Sequence, residues 1–407
     1  MHLRVAAPFL AGYFLSYYYR AANAIVGPIL AEQFGLSAAA LGFLSAVYFL
    51  AFALFQLPLG VLLDRYGPRR VDAALLCVAA LGAAWFAVAT SEAELIAARA
   101  LLGLGVSGCL MSAFTAFVLW YRPERIAFLN GIAFATGIVG AIAASVPLEW
   151  LLRALSWREV FAALAAFNLA VVAAILLVVP ERRGPAGGER LGEQLKALLL
   201  VARDPAFWRA ALCVGASQMA AVSLSTLWVA TWLRDLLGWS ASEVAQALLA
   251  FNVAMMAGYL GFGRAADALA RRGGSVLPLV AGGLALALAA LFLLLAGVRQ
   301  AALLLWCLYF GCTTAVVLVY PILSRRHPKA MAGRVNTALN VFVFAGMFAG
   351  QWLVGLVLSL WPQVAGGYDP RGYGWSIGLL WLAQAAGLAW LWAGRRHFAA
   401  PAPTGRS

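Results

Sequence analysis

Arg20 is the residue whose setting asks most for an explanation. It lies in a long apolar run, residues 5–30. At about 1.5 Å of rise per residue it is roughly 22 Å into a helix that needs about 20 residues to cross a bilayer. An ionised side chain at that depth costs on the order of 3 kcal/mol on insertion scales. At helical spacing Tyr13, Ser16, Tyr17, Arg20 and Asn23 share one face, which must look into a cavity rather than at lipid. No Asp or Glu falls near the middle of any apolar run, so the cation has no evident acidic partner. The chemistry is that of an anion-binding guanidinium. The competing reading is a tether to backbone carbonyls inside a helix bundle.

A second cluster of charge fills a short turn. Asp64, Arg65, Arg69 and Arg70 fall between two apolar runs, in a chain with only 11% charged residues. Gly67-Pro68 cannot continue a helix. The skeleton Gly60, Asp64, Arg69 returns as Gly263, Asp267, Arg272, each 203 residues later in a chain of 407. The spacing implies a duplicated chain. Arg99 sits about seven residues into another apolar run, either as a packing arginine or as a group that moves protons. Glu149 and Glu159 lie at the ends of their runs, and His2, His327 and His397 lie in polar segments. A proton relay through embedded acids is therefore not expected.

These residues need a membrane to position them. Hydrophobic residues make up 64% of the sequence, and mean hydropathy is +0.89, well above a soluble domain. Twelve spans can be marked, at roughly 5–30, 38–63, 71–90, 93–119, 128–152 and 159–179, then 207–233, 241–263, 275–296, 300–323, 334–360 and 374–393. The first is too long for a signal-peptide core. The expected organisation is a six-helix half over 1–180, a polar linker over 181–206, a second half over 207–396 and a tail over 397–407. Part of the linker, 191–201, reads as a short surface helix. With both termini in the cytoplasm, 22 of the 29 Lys and Arg fall on that side and 5 outside. Such a bias sets the orientation and accounts for the +13 charge without nucleic acid. The five cysteines lie in apolar segments, with no zinc or disulfide spacing. No metal or cofactor motif is present.

The Gly60–Arg70 turn resembles the signature loop between helices 2 and 3 of the major facilitator superfamily, and Gly263–Arg272 resembles its counterpart between helices 8 and 9. Arg99, Gly103 and Gly105 match a second signature in helix 4. Trp157-Arg158-Glu159 and Pro180-Glu181-Arg182 are similar to the ends of the family's helix 6. The resemblance implies an all-α membrane protein of twelve helices in two pseudo-symmetric halves, working by alternating access. It implies a monomer of the inner membrane that is not an enzyme, with a small-molecule substrate and either a proton or a counter-anion coupled to it. Helices 1, 4, 7 and 10 would line the cavity, which makes Arg20, Tyr17, Asn23, Gln218, Trp228, Tyr309 and Asn340 candidate contacts. Gly60, Asp64, Arg65, Arg69, Asp267, Arg272 and Arg99 would belong to the gating machinery, with Asp64 facing Gly333-Arg334 at the start of helix 11.

The run Tyr17-Tyr18-Tyr19-Arg20-Ala21-Ala22-Asn23 resembles helix 1 of organophosphate and organic-anion members. Helix 7 lacks the second arginine of phosphate exchangers, which favours a monoanion such as a carboxylate. Helix 5 carries Gly131, Gly137 and Gly140 but not the Gly-Pro pair of drug antiporters. Efflux of drug-like or apolar compounds, and a sensor that binds without transporting, remain the alternatives.

Overall fold

The computed structural model describes residues 2–182, 201–326, 332–364 and 367–398. The surface helix expected over 191–201, His327 and most of the tail lie outside them, apart from Val201. Among the described residues, eleven stretches are long and apolar enough to cross a membrane, and together they cover every expected span except the first. Span 1 falls short because the polar face around Arg20 lowers its hydropathy. It is a helix nonetheless, His2–Ala21 and then Asn23–Phe34 after a break at Ala22.

Spans 2 and 3 share the stretch Ala38–Val88, turned at Gly67, whose φ of 77° few residues other than glycine adopt. Span 4 is Glu92–Val106 followed by Cys109–Trp120, span 5 is Pro123–Ala143 followed by Val146–Ala154, and span 6 is Trp157–Val178. Span 7 begins at Pro205 behind the N-cap Asp204. It runs to Ser223, passes through a wide π turn over Leu224–Trp228, and ends as Val229–Leu237. Span 8 is Ala241–Arg271 and span 9 Leu277–Leu295. Span 10 is Ala302–Thr313, a tight 3₁₀ stretch Thr314–Leu318, and Val319–Ser324. Spans 11 and 12 are Ala332–Leu358 and Pro370–Ala393.

The duplication is visible in the joints. Span 1 ends on Gly35 (φ 62°) and Ser37 caps span 2, while span 7 ends on Gly238 (φ 68°) and Ser240 caps span 8. Both pairs are 203 residues apart, like the charged skeleton. The breaks correspond too: Ala22 falls opposite the π turn of span 7. Spans 1, 4, 7 and 10 all lose regular α geometry part-way. Loss of this kind frees backbone groups and often marks a working site.

Small residues draw the spans together, since helices in lipid associate by close packing. A Cβ on Gly103 would lie 2.1 Å from the carbonyl oxygen of Tyr48, and one on Gly105 would lie 2.3 Å from the amide of Ala79. The helix-4 glycines therefore seat span 4 against spans 2 and 3. The halves meet along spans 2 and 11, away from the termini. There Gly42 and Gly355 touch backbone to backbone, the Ala39 amide donates to Ser359 Oγ at 2.9 Å, and Phe43 lies 5.2 Å from Trp352. The seam runs down to Phe52 stacked on Phe344 at 4.1 Å. Below that pair, toward the termini, Asp64 is exposed and Gly333 faces open space. The molecule is sealed on its distal face and opens toward the face that carries the termini.

Candidate functional site

The pocket lies where spans 1 and 7 are interrupted. Arg20 and Asn23 of span 1, Ser45, Tyr48 and Phe49 of span 2, Arg99 of span 4 and Thr226 of span 7 line a small cavity of about 10 Å³, the space of about one water. Two guanidiniums thus share one cavity, and they are held differently.

Arg99 is tethered. It is 1% exposed, and its Nη1 donates to the Tyr19 carbonyl at 2.9 Å. That carbonyl lies in the last turn before the break of span 1. Its Nη2 donates to Asn23 Oδ1, whose amide nitrogen donates to Ser45 Oγ, which in turn donates to the Leu41 carbonyl at 2.8 Å. Neutral oxygens therefore hold this cation, and a net positive charge stays in the pocket.

Arg20 is caged. Its guanidinium carbon is 4.7 Å from the centre of the Tyr17 ring and 5.7 Å from those of Phe49, Phe52 and Phe344. Its Nε is buried without a hydrogen-bond partner, and no carboxylate among the described residues pairs with it. Ring faces attract a cation yet satisfy none of its N–H groups. Because Phe344 belongs to span 11 and the other three rings to spans 1 and 2, the cage straddles both halves at the foot of the distal seam.

The other expected contacts are distributed unevenly. Tyr17 packs on Arg20 and faces Tyr259 of span 8 and Tyr320 of span 10. Asn340 accepts from Tyr320 at 2.8 Å, at the edge of this group. Gln218 is half-buried and outside the pocket. Trp228 is fully buried in the seam, donating to the Gln351 carbonyl at 3.0 Å. Tyr309 is buried in the second half, donating to Gln384 at 3.2 Å.

Arg99, expected with the gate residues, stands beside Arg20 instead. Ser45 and Tyr48 were not anticipated. They carried a weak signal, two polar groups one turn apart on a span, and Tyr48 donates to the Ser16 carbonyl at 2.9 Å.

The charged turn is clasped within its own half. Arg70 pairs with Glu181 at 2.6 Å and Arg69 with the same carboxylate at 3.5 Å, while Arg69 also donates to the Leu176 carbonyl. Arg182 donates to the Leu119 carbonyl at 2.7 Å, and Arg65 lies over Tyr66. Gly60 is half-buried. Asp64 is exposed, and a Cβ on Gly333 would meet open space. In the second copy Gly263 and Asp267 are helical, as Gly60 and Asp64 are, but span 8 continues further and the turn comes at Gly273, three residues past the position that matches Gly67. Asp267 and Arg272 are exposed.

One buried acid was not anticipated: Asp72, at the start of span 3, is 0% exposed. It closely follows the charges of the turn, and the reversal at Gly67 carries it inward.

The profile of the Major Facilitator Superfamily matches residues 9–351. A probable nitrate/nitrite transporter of Mycobacterium tuberculosis is 28% identical over 380 residues, covering 89% of each chain. A probable sulfoacetate transporter of Cupriavidus necator is 27% identical over 157 residues, which is 39% of this chain and only 36% of that one. A probable L-galactonate transporter of Escherichia coli is 26% identical over 149 residues, or 36% of this chain and 32% of its own length. Among solved structures, a bacterial homologue of the human lysosomal transporter Spinster, in an inward-facing and unoccupied conformation, superposes with a TM-score of 0.81 at 19% identity, covering 99% of this chain and 100% of that one. The chain is a multi-pass membrane protein of the Major Facilitator Superfamily, a family of transporters rather than enzymes.

Proposed function

We propose that the protein is a secondary active transporter for a small organic anion, which it binds between Arg20 and Arg99 and moves by alternating access. One observation carries this reading: Arg20 is a cation in an aromatic cage without a carboxylate partner among the described residues, beside a second guanidinium held by neutral oxygens and the Phe86 ring. A ligand carboxylate or sulfonate would supply the missing charge and accept from the buried donors. Three relatives are named for nitrate/nitrite, sulfoacetate and L-galactonate, all anions. The aromatic walls favour a compact ligand with a single charged head. Tyr17, Tyr259 and Tyr320 stand ready for its polar remainder.

The test is a thermal-shift panel of anions, sugars and organic cations on the purified protein. At 100 times Kd a ligand stabilises by about 2.7 kcal/mol. A small monoanion is expected to raise the melting temperature, and neutral sugars are not. Stabilisation by cations alone would remove the reading.

The inner membrane is the proposed location, with both termini cytoplasmic. The sealed distal face would then look outward, as in the inward-facing neighbour. Single cysteines at Glu92 and Asp369 should react with an impermeant reagent in intact cells, and ones at Arg70 and Gly188 only after lysis. Labelling of Gly188 in intact cells would reverse the orientation.

A further inference from the structure

Asp72 is the buried ionisable group that the anion site leaves unused. It lies at the junction of three spans, with Gly12 of span 1 on one side, where a Cβ would be 3.7 Å from its Oδ2. Cys109 and Ser112 of span 4 lie on the other. Neither carboxyl oxygen has a partner of proper hydrogen-bond geometry, and the buried Ser112 hydroxyl also lacks one.

Among the described residues, no cation is paired with Asp72. Span 4 presents the Cys109 thiol as its one titratable group here, and span 1 presents Gly12. Span 2 packs Leu59 and Leu63 against the neighbouring Val71 and Leu75. The charges of span 6, Arg158 and Glu159, are at its far end, and Glu181 beyond its near end holds Arg69 and Arg70. A carboxylate with only a thiol and a hydroxyl beside it, and no counter-charge, is disfavoured in such a place and takes up a proton instead.

Location gives the proton a use. Asp72 follows the Gly67 turn by five residues, and the clasp of Arg69 and Arg70 on Glu181 holds that end of span 3 to the end of span 6. Spans 1 and 4, which bury Asp72, also carry Arg20 and Arg99. Any rearrangement of those spans therefore reaches both sites.

We propose that Asp72 is a proton-binding site that couples protonation to the conformational cycle: protonated while the cavity opens toward the termini, and deprotonated in the distal-open state. The inference deepens the transporter reading and rests on it only for the existence of that second state. The step is a simple exchange in which the Asp72 O–H bond breaks and water accepts the proton.

Two measurements on the full chain in lipid, with protons as the only ligand, test it. Infrared spectroscopy with carbon-labelled aspartate should show a protonated carboxyl band at neutral pH. The band should be missing in Asp72→Asn and displaced in Asp72→Glu. Spin labels at Glu92 and Gln300, on the distal ends of the two halves, should report distal opening as pH rises through the loss of that band. Asp72→Asn, which mimics the protonated form, should stay distal-closed at every pH, and Asp72→Glu should keep the response at a shifted midpoint. Absence of the band in the wild-type protein overturns the proposal, as does a spin-label distance indifferent to pH. Neither readout involves an anion, so failure of the anion reading would appear separately, as normal anion binding in Arg20→Ala.

Discussion

Arg20→Ala is expected to abolish binding of the anion that the thermal-shift panel identifies, while the protein still folds. The guanidinium makes no ion pair among the described residues, so its removal leaves no carboxylate stranded and takes away ring contacts and a contact with the Tyr48 hydroxyl. Truncating one member of a buried charged pair typically costs about 2–5 kcal/mol, roughly 30-fold to several thousand-fold in affinity. Arg20→Lys should recover part of it, because an ammonium lacks the planar fork that meets a carboxylate with two hydrogen bonds. Arg99→Ala should behave differently. It would leave the Tyr19 carbonyl and Asn23 without their donor, so stability should fall along with affinity. Calorimetric affinity and melting temperature on one preparation separate these outcomes. Near-native affinity in Arg20→Ala, with a lowered melting temperature, would make Arg20 a structural tether and reopen neutral or cationic substrates.

Gly355→Val should hold the protein open on its distal face. A Cβ at Gly355 would lie 2.3 Å from the Ala38 carbonyl oxygen and 3.2 Å from the Cα of Gly42, both backbone atoms that cannot rotate away. Overpacking costs about 1–3 kcal/mol. Placed wholly on the distal-closed state, that cost shifts the equilibrium by about 5- to 150-fold. The distal-open state has no such contact and is unaffected. A cysteine at Ser45, in the pocket, should then react faster with a reagent added from the distal side. Gly42→Ala should have a smaller effect, since its Cβ would lie 3.0 Å from the Gln351 carbonyl oxygen. Unchanged reactivity in a well-folded Gly355→Val protein would mean that the seam spreads without opening.

The fold was legible because lipid leaves few choices. A run of about 20 apolar residues is a span, and lysine and arginine counts order the loops. Ends were less accurate where the helix outlasts its apolar part, as in span 8, which continues eight residues past its expected end at 263. The Gly35–Ser37 and Gly238–Ser240 joints could have been read from the sequence by extending the 203-residue offset. Arg20 was legible because a cation is costly in a span. Its partners were not: an aromatic cage built from spans 1, 2 and 11 has no local pattern. Arg99 was assigned elsewhere because its nearest polar neighbours, Tyr19 and Asn23, are about 80 residues away in the chain. Asp72 stood out in no pattern, since four charges lie just before it in the chain and its burial depends on spans 1 and 4.

The matched joints also show what the halves no longer share. Counting 203 residues on, Arg20 falls on Ser223, Asn23 on Thr226 and Arg99 on Ala302. The scaffold kept its two-fold symmetry and the charge did not, so the electrostatic centre of the cavity is off the axis, on the first half alone. A ligand held there would travel with that half as an attached passenger. The second half, contributing Phe344, Thr226 and its tyrosines, would act as a sliding cover whose hydroxyls and rings can diverge without disturbing the anchor.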